Sequence, residues 1–375
     1  MQRATSDDGG GIVLRQGSAE APARERGALE AQLAGLGLAD AVVVHANGDT
    51  ARWRLDEAHA ARWAPGHDTL DIAARGGFDP AHWPAELERE IAIAMLAAPV
   101  PLEFPSADEF ASALRIRRDI VEAARRSALA FGTAAAERPE GWWTYAPETS
   151  FTVLPGKSLI EALRRALQPD VSGKLHAFSC YRATEYVIVL AVAQELERCN
   201  PPLLAALQRR WERRAIMSGR FHDVFLRELG SNDAPLPPRW YVPGDRIWFR
   251  NPDAHSSDAS GFEGSWLFYL GDGLFNNFWQ RDRPFTMTSK CLELYHWRNA
   301  TWTDADGHLR IDEKVVEQRV RETMADPLEV ERILAETMRL RDPTGIDAGG
   351  GCIDRSREFP RWVRPGTADL VIPEA

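Results

Sequence analysis

The chain has 375 residues and carries 45 Lys and Arg against 55 Asp and Glu, a formal net charge of -10. A surplus of acid with no long basic run excludes the phosphate backbone of nucleic acid as a natural partner. No apolar run approaches the roughly 20 residues that cross a bilayer, and the opening MQRATSDDGGG lacks the apolar centre of a secretory signal.

The composition, 44% hydrophobic and 27% charged, fits globular material with a sizeable core. The 4 cysteines (Cys180, Cys199, Cys291, Cys352) are spread out and never paired as CxxC. Neither a zinc knuckle nor a disulfide framework is therefore expected, and a reducing cytoplasm is the expected compartment. Nothing in the sequence calls for a cofactor, and it leaves the oligomeric state open. The 13 Trp point to an aromatic-rich core.

In chain order, residues 1 to about 25 are Gly, Ser, Asp, Glu and Arg with few large apolars, and read as disordered. Arg24 to Leu36 reads as helix. Ala41 to His45 reads as a strand closed by Asn47-Gly48, with Thr50 to Arg54 as its hairpin partner. Pro84 to Leu96 reads as a helix stopped by Pro99 and Pro101. The next helix opens with Ser106 as N-cap and Glu109 at the third position, a capping box. Its Arg115, Arg117, Arg118, Arg125 and Arg126 read as a solvated face. Trp142 to Leu154 reads as strand or irregular chain, and Ser158 to Leu167 as a short helix.

The stretch His176 to Leu196 is unbroken in its apolar character from Tyr186 to Ala193. A helix apolar all round must be buried, so this is the expected central helix. Its first turn carries Cys180 behind the small polar Ser179. A thiol at a helix start sits by unpaired N–H groups and the positive end of the dipole, which favour thiolate. The bland reading, a buried core cysteine, stands beside it.

Leu203 to Ile216 reads as another helix, and from Tyr241 the pattern changes to strands. Arg246 to Arg250, Phe262 to Leu270 and Leu274 to Trp279 are expected strands, the last two joined at Gly271-Asp272-Gly273. Thr286 to Trp297 reads as helix or strand, a helix is expected around Leu328 to Leu340, and the last 30 or so residues read as a tail. The plan is α+β, with a nucleophile on a central helix ahead of an antiparallel meander. Papain-like and NlpC/P60-like cysteine enzymes present nucleophile and base in this order, an analogy of plan only.

A cysteine nucleophile needs a base and an oxyanion hole. Glu263 and Ser265 are two apart, so on a strand they share a face, and Glu263 is its sole carboxylate. His222 beside Asp223, and His255 in the polar loop, are further candidates for base or orienting group. Asn276 and Asn277 could hold a base in place. Asp253, His255 and Asp258 are too sparse a set to indicate a metal.

From about Leu70 to Met324 the chain resembles the small calcium-independent transglutaminase of bacterial spore coats, a protein-glutamine γ-glutamyltransferase. Leu70 to Trp83 matches the family's opening strand, turn and Trp, and FPSADEFASALRIRRDIVEAAR its early helix. Ala177-Phe178-Ser179-Cys180 falls on Phe-Glu-Cys. Gly244-Asp245 with Trp248-Phe249-Arg250-Asn251-Pro252 matches Gly-Asp-Cys-Leu-Tyr-Phe-Lys-Asn-Pro.

The resemblance implies that Cys180 is the catalytic thiol, that the substrates are proteins bearing Gln and Lys, and that residues 1–69 and 325–375 flank a catalytic domain at 70–324. It also implies departures. Ser179 replaces the family's acid before the thiol, Ser265 falls where the family has its basic glutamate, and Phe278 where it has a histidine. Glu263, two residues before that glutamate, and His222, which aligns with a family His, are the candidate substitutes; Ser179, Ser265, His255 and Asn276 are candidate supports of substrate or oxyanion. The reading is an acyltransferase that forms γ-glutamyl-lysine bonds through a thioester. The alternatives are a glutamine deamidase, a cysteine protease, or a binding or scaffold protein that has lost its base.

Overall fold

The computed structural model describes residues 9–15, 22–47, 50–132, 136–343 and 350–374. The architecture is α+β: the described residues form a four-stranded sheet, a six-stranded sheet and three two-stranded pairs, with helices packed among them.

The central helix runs Cys180–Cys199, and residues Ala183 through Ala193 are all buried. It packs between the long helix Ala107–Arg126 and the helix Leu159–Leu167, and against the strand Gly264–Gly271. An apolar surface on every side is what allows a helix to be enclosed by neighbours of both classes. Its two internal carboxylates are matched by partners. Glu195 receives Ser112 Oγ at 2.7 Å and Arg115 Nη2 at 2.5 Å, and Glu185 receives the backbone N–H of Ser218 at 2.7 Å and the Arg182 guanidinium.

The six-stranded sheet has the order Phe285–Thr286, Leu274–Phe275, Gly264–Gly271, Arg246–Arg250, Arg357–Pro360, Leu226–Leu229, antiparallel throughout. The strand from Arg357 corrects the reading of the C-terminus as a tail. Its neighbours fix it firmly: Arg357 is fully buried and donates to the carbonyls of Trp240, Asp354 and Ser356, with its guanidinium 4.1 Å from the Tyr241 ring centre.

The expected N-terminal disorder is corrected likewise. Gly11–Arg15 is a middle strand, parallel to Pro101–Phe104 and antiparallel to Thr50–Leu55. Ile12, Val13 and Leu14 are buried there. Three adjacent apolars among glycines were too short a run to signal a strand, yet they fill the slot between two neighbours. The hairpin of Val42–Asn47 with Thr50–Leu55 forms as expected, although Gly48 of its turn lies outside the described residues. The helix Pro84–Leu96 has the expected ends.

Two readings of the long helix change. Ser106 accepts from the Glu109 N–H at 3.1 Å, but the Glu109 carboxylate does not reach back. It accepts instead from the Val363 N–H and Thr367 Oγ1, both at 2.7 Å, and so ties down the C-terminal chain. Apart from Arg126, which is exposed, the basic residues of this helix are not a solvated face. Arg117 is buried on Asp245 at 2.7 Å, Arg118 meets Glu88 at 2.6 Å, and Arg125 donates to the carbonyls of Pro80 and Leu270. Neighbours on several sides of an interior helix turn its charges into ties between elements.

Glu90 lies fully buried where the helix Pro84–Leu96 meets the turn after Leu270. Its Oε1 accepts from the Asp272 N–H at 2.9 Å, while Oε2 has no hydrogen-bond partner among the described residues. A Cβ on Gly271, at φ +86°, would come within 2.5 Å of that oxygen, so the turn needs glycine on both counts. Burial lifts the Glu90 carboxyl to about 7, and the folded state therefore holds a proton that the unfolded chain releases near pH 4.5. Stability from this group is fully present below about pH 4.5 and is lost as pH rises through 7, about 3 kcal/mol in all. Urea titrations at several pH values are expected to show a shallower decline between pH 5 and 8 in Glu90→Gln than in the wild type. A slope unchanged by the substitution would mean that Glu90 is ionised in the fold.

Candidate active site

The short strand Ala177–Phe178 pairs in parallel with Ala130–Phe131 and delivers the chain to Ser179 in an extended conformation. Ser179 caps the central helix: its hydroxyl accepts from the Arg182 N–H at 3.3 Å. Cys180, half-buried, is therefore the first helical residue, and its thiol is free. The backbone N–H groups of Trp266, on the neighbouring strand, and of Tyr181 donate toward its sulfur. Gly264 opens that strand because the Trp248 indole lies against it; a Cβ would meet Trp248 Nε1 at 2.2 Å.

Two cavities meet at Cys180. One, of about 340 Å³, is lined by Ser265, Asn277, the aromatic Phe131, Trp279, Phe285 and Trp297, and the charged Arg283, Lys290, Glu293, Glu313, Glu317 and Arg321. The other, of about 380 Å³, is lined by Ser179, Tyr181, Trp248, Glu263 and Trp266. Phe131, Gly261 and Gly264 border both.

The electrostatics correct one expectation. Burial pushes the Cys180 thiol up from its ordinary value, against the pull of the Trp266 N–H, Lys290, the Tyr181 N–H and Arg246. Taking a sulfur anion out of water outweighs the donors at the helix start.

The candidate partners of the thiol are dispersed. Glu263 lies before the strand, which starts at Gly264, so it does not share a strand face with Ser265 as expected. The Asn251 N–H, donating to the Glu263 carbonyl at 3.1 Å, and the Asn251 amide, donating to the Phe262 carbonyl at 3.0 Å, shape the turn there. Glu263 is exposed on the second cavity, whereas Ser265 faces the first. His222 lines neither. It sits on the helix Gly219–Phe225, with Nε2 at 3.5 Å from Glu358 and 3.8 Å from Glu228.

His255 is exposed on the one-turn helix Ala254–Ser257, capped by Asp253, and also lines neither cavity. Asn276 is a splint: its Oδ1 accepts from the Phe268 N–H at 2.6 Å, beside the register shift of the strand pair. Asn277 borders the first cavity, but its Oδ1 is engaged by the N–H groups of Trp279 and Gln280. Phe278 is core, packed on Phe268 and Trp279.

Sequence reasoning missed Lys290 and Glu293. Lys290 is 2% exposed on the helix Met287–Trp297, pairs with Glu293 at 2.5 Å and lies 4.3 Å from the Phe285 ring centre. The signal was present as a Lys and a Glu three apart, flanked by aromatics, but nothing in the spacing showed that they face the thiol's cavity. Across that cavity, burial raises the Glu313 carboxyl, with Glu293 and Glu317 adding to the effect. This gives the first cavity aromatic walls with mixed charge, Lys290, Arg283 and Arg321 beside Glu293, Glu313 and Glu317, with Lys290 buried among them.

A search of curated proteins found no match. Among solved structures the chain is similar to a transglutaminase from Geobacillus stearothermophilus, without its C-terminal extension, at 21% identity and a TM-score of 0.41, over 57% of this chain and 98% of that one. The family model for protein-glutamine gamma-glutamyltransferase matches residues 74–344, well over half of the sequence. The chain belongs to the protein-glutamine gamma-glutamyltransferase family.

Proposed function

We propose that the protein is an acyltransferase that joins the side chain of a protein Gln to a primary amine, a Lys ε-amine in the natural reaction, through a thioester on Cys180. The observation that carries this reading is a thiol at a helix start which opens to two cavities at once. A thioester formed from one side then has room for a second substrate on the other. The Cys180 sulfur attacks the γ-carboxamide carbon, and the N–H groups of Trp266 and Tyr181 lie where an anion at the thiol can be stabilised. The C–N bond breaks and ammonia leaves with the proton. The amine then attacks the thioester, the C–S bond breaks, and the sulfur recovers a proton. Glu263, the carboxylate on the second cavity, is assigned as the base.

A binding or scaffold role is the competing reading. Ser265 in place of the family's glutamate and a thiol raised by burial both favour it. A Gln-bearing protein incubated with a fluorescent primary amine separates the cases. The wild type is expected to incorporate label and Cys180→Ala none, with Glu263→Gln slower by about 10²-fold if it removes general-base catalysis. Gln converted to Glu without label would instead mark a deamidase, cleavage of the chain a protease, and no reaction a scaffold.

The raised thiol also fixes a pH dependence, because thiolate grows as pH rises toward the folded-state value. Label incorporation is expected to climb from about pH 6 and to go on rising past pH 9.0, the ordinary value from which burial raises the thiol. A plateau reached below about pH 7 would contradict it.

A further inference from the structure

We propose that Arg246 is a positioning residue for the thiol site and that Glu358, on the C-terminal strand, holds it in place. The proposal rests on Cys180 being the nucleophile. The Arg246 side chain is only 1% exposed. Its guanidinium carbon lies 4.6 Å from the Tyr181 ring centre and 4.0 Å from that of Trp266, and the two rings meet edge to face at 5.4 Å. The N–H groups directed at the sulfur belong to these same two residues. A cation packed on both rings therefore holds the backbones that carry both donors.

Its other bonds fix the cation itself. Nε donates to Thr184 Oγ1 at 2.8 Å, one turn along the central helix, and Nη1 donates to Glu358 Oε2 at 2.7 Å. Nη2 makes no hydrogen bond among the described residues, which leaves the ring faces to stabilise it. The other Glu358 oxygen faces His222 at 3.5 Å, and Glu228 stands opposite Glu358 on the paired strand.

Two features set this support apart from the family pattern. Arg246 falls at the Cys of the Gly-Asp-Cys run, and Glu358 lies beyond the matched residues 74–344. A segment outside the family region thus braces the site. Arg246 is also among the groups that draw the thiol down against burial. A charge lost here should therefore move the thiol's titration, which a merely structural role would leave alone.

The test uses the full chain as wild type, Arg246→Lys, Arg246→Met and Glu358→Gln, each checked for a cooperative melt. Iodoacetamide alkylation of Cys180 is followed from about pH 6 to about pH 10, with peptide mass spectrometry separating it from the other cysteines. Amine incorporation is measured on the same proteins. Arg246→Met is expected to raise the alkylation midpoint and to lower kcat at least about tenfold with KM for the amine little changed. Glu358→Gln is expected to give a smaller shift in the same direction, and Arg246→Lys to restore the midpoint better than kcat.

Folded Arg246→Met and Glu358→Gln with wild-type midpoint and kcat would overturn the proposal. Should Arg246→Met fail to fold, the isosteric Glu358→Gln decides. Should the wild type incorporate no amine, the acyl-transfer reading fails and the alkylation midpoints alone decide the role of Arg246.

Discussion

The burial of one helix on all sides is the constraint from which the rest of this molecule follows. From Ala183 to Ala193 no residue of the helix Cys180–Cys199 reaches solvent. Such a helix needs cover from several directions, which the helices Ala107–Arg126 and Leu159–Leu167 and the strand Gly264–Gly271 provide. Covering it also places charge in the interior. Glu185, lifted to about 7 by burial, and Glu195, held below the usual range despite burial by Arg115, Ser112 and Arg198, show two solutions to one problem. One carboxylate retains its proton more readily, and the other gathers enough donors to stay ionised.

The same enclosure governs the thiol. The end of a buried helix that emerges at a cavity offers N–H groups without the water that would compete for them, but it withdraws water from the sulfur as well. In this chain the second effect is the larger, so Cys180 depends on what surrounds it: Trp266 and Tyr181 amides, Lys290 and Arg246. These come from the strand Gly264–Gly271, the central helix, the helix Met287–Trp297 and the strand Arg246–Arg250. The site is a junction of elements far apart in sequence, which is why spacing alone could not assemble it.

What the sequence disclosed follows from this. Periodicity and caps located the central helix within a few residues, placed Cys180 at its start behind Ser179, and found Pro84–Leu96. These signals are local. The strands Gly11–Arg15 and Arg357–Pro360 were illegible because each is a short segment stabilised by partners more than 30 residues away. The fates of Arg117 and Glu109 were hidden for the same reason, since Asp245 and Val363 lie far along the chain. Glu263 was misread because alternation holds only inside a strand: the strand begins at Gly264, and the chain bends at Glu263.

The C-terminal segment draws these strands together. Glu109, at the start of the long helix, accepts from Val363, Arg364 and Thr367, and Asn200, just past the end of the central helix, donates to the Val363 carbonyl at 2.8 Å. Glu358 then reaches Arg246 from the same stretch. The segment thus grips both principal helices at one end of its path and the sheet's buried arginine at the other. Removing an ion-pair partner from a buried cation costs several kcal/mol, because the charge is left without compensation. The last strand is therefore energetically inseparable from the sheet it completes, and through Arg246 it reaches the two residues that face the sulfur.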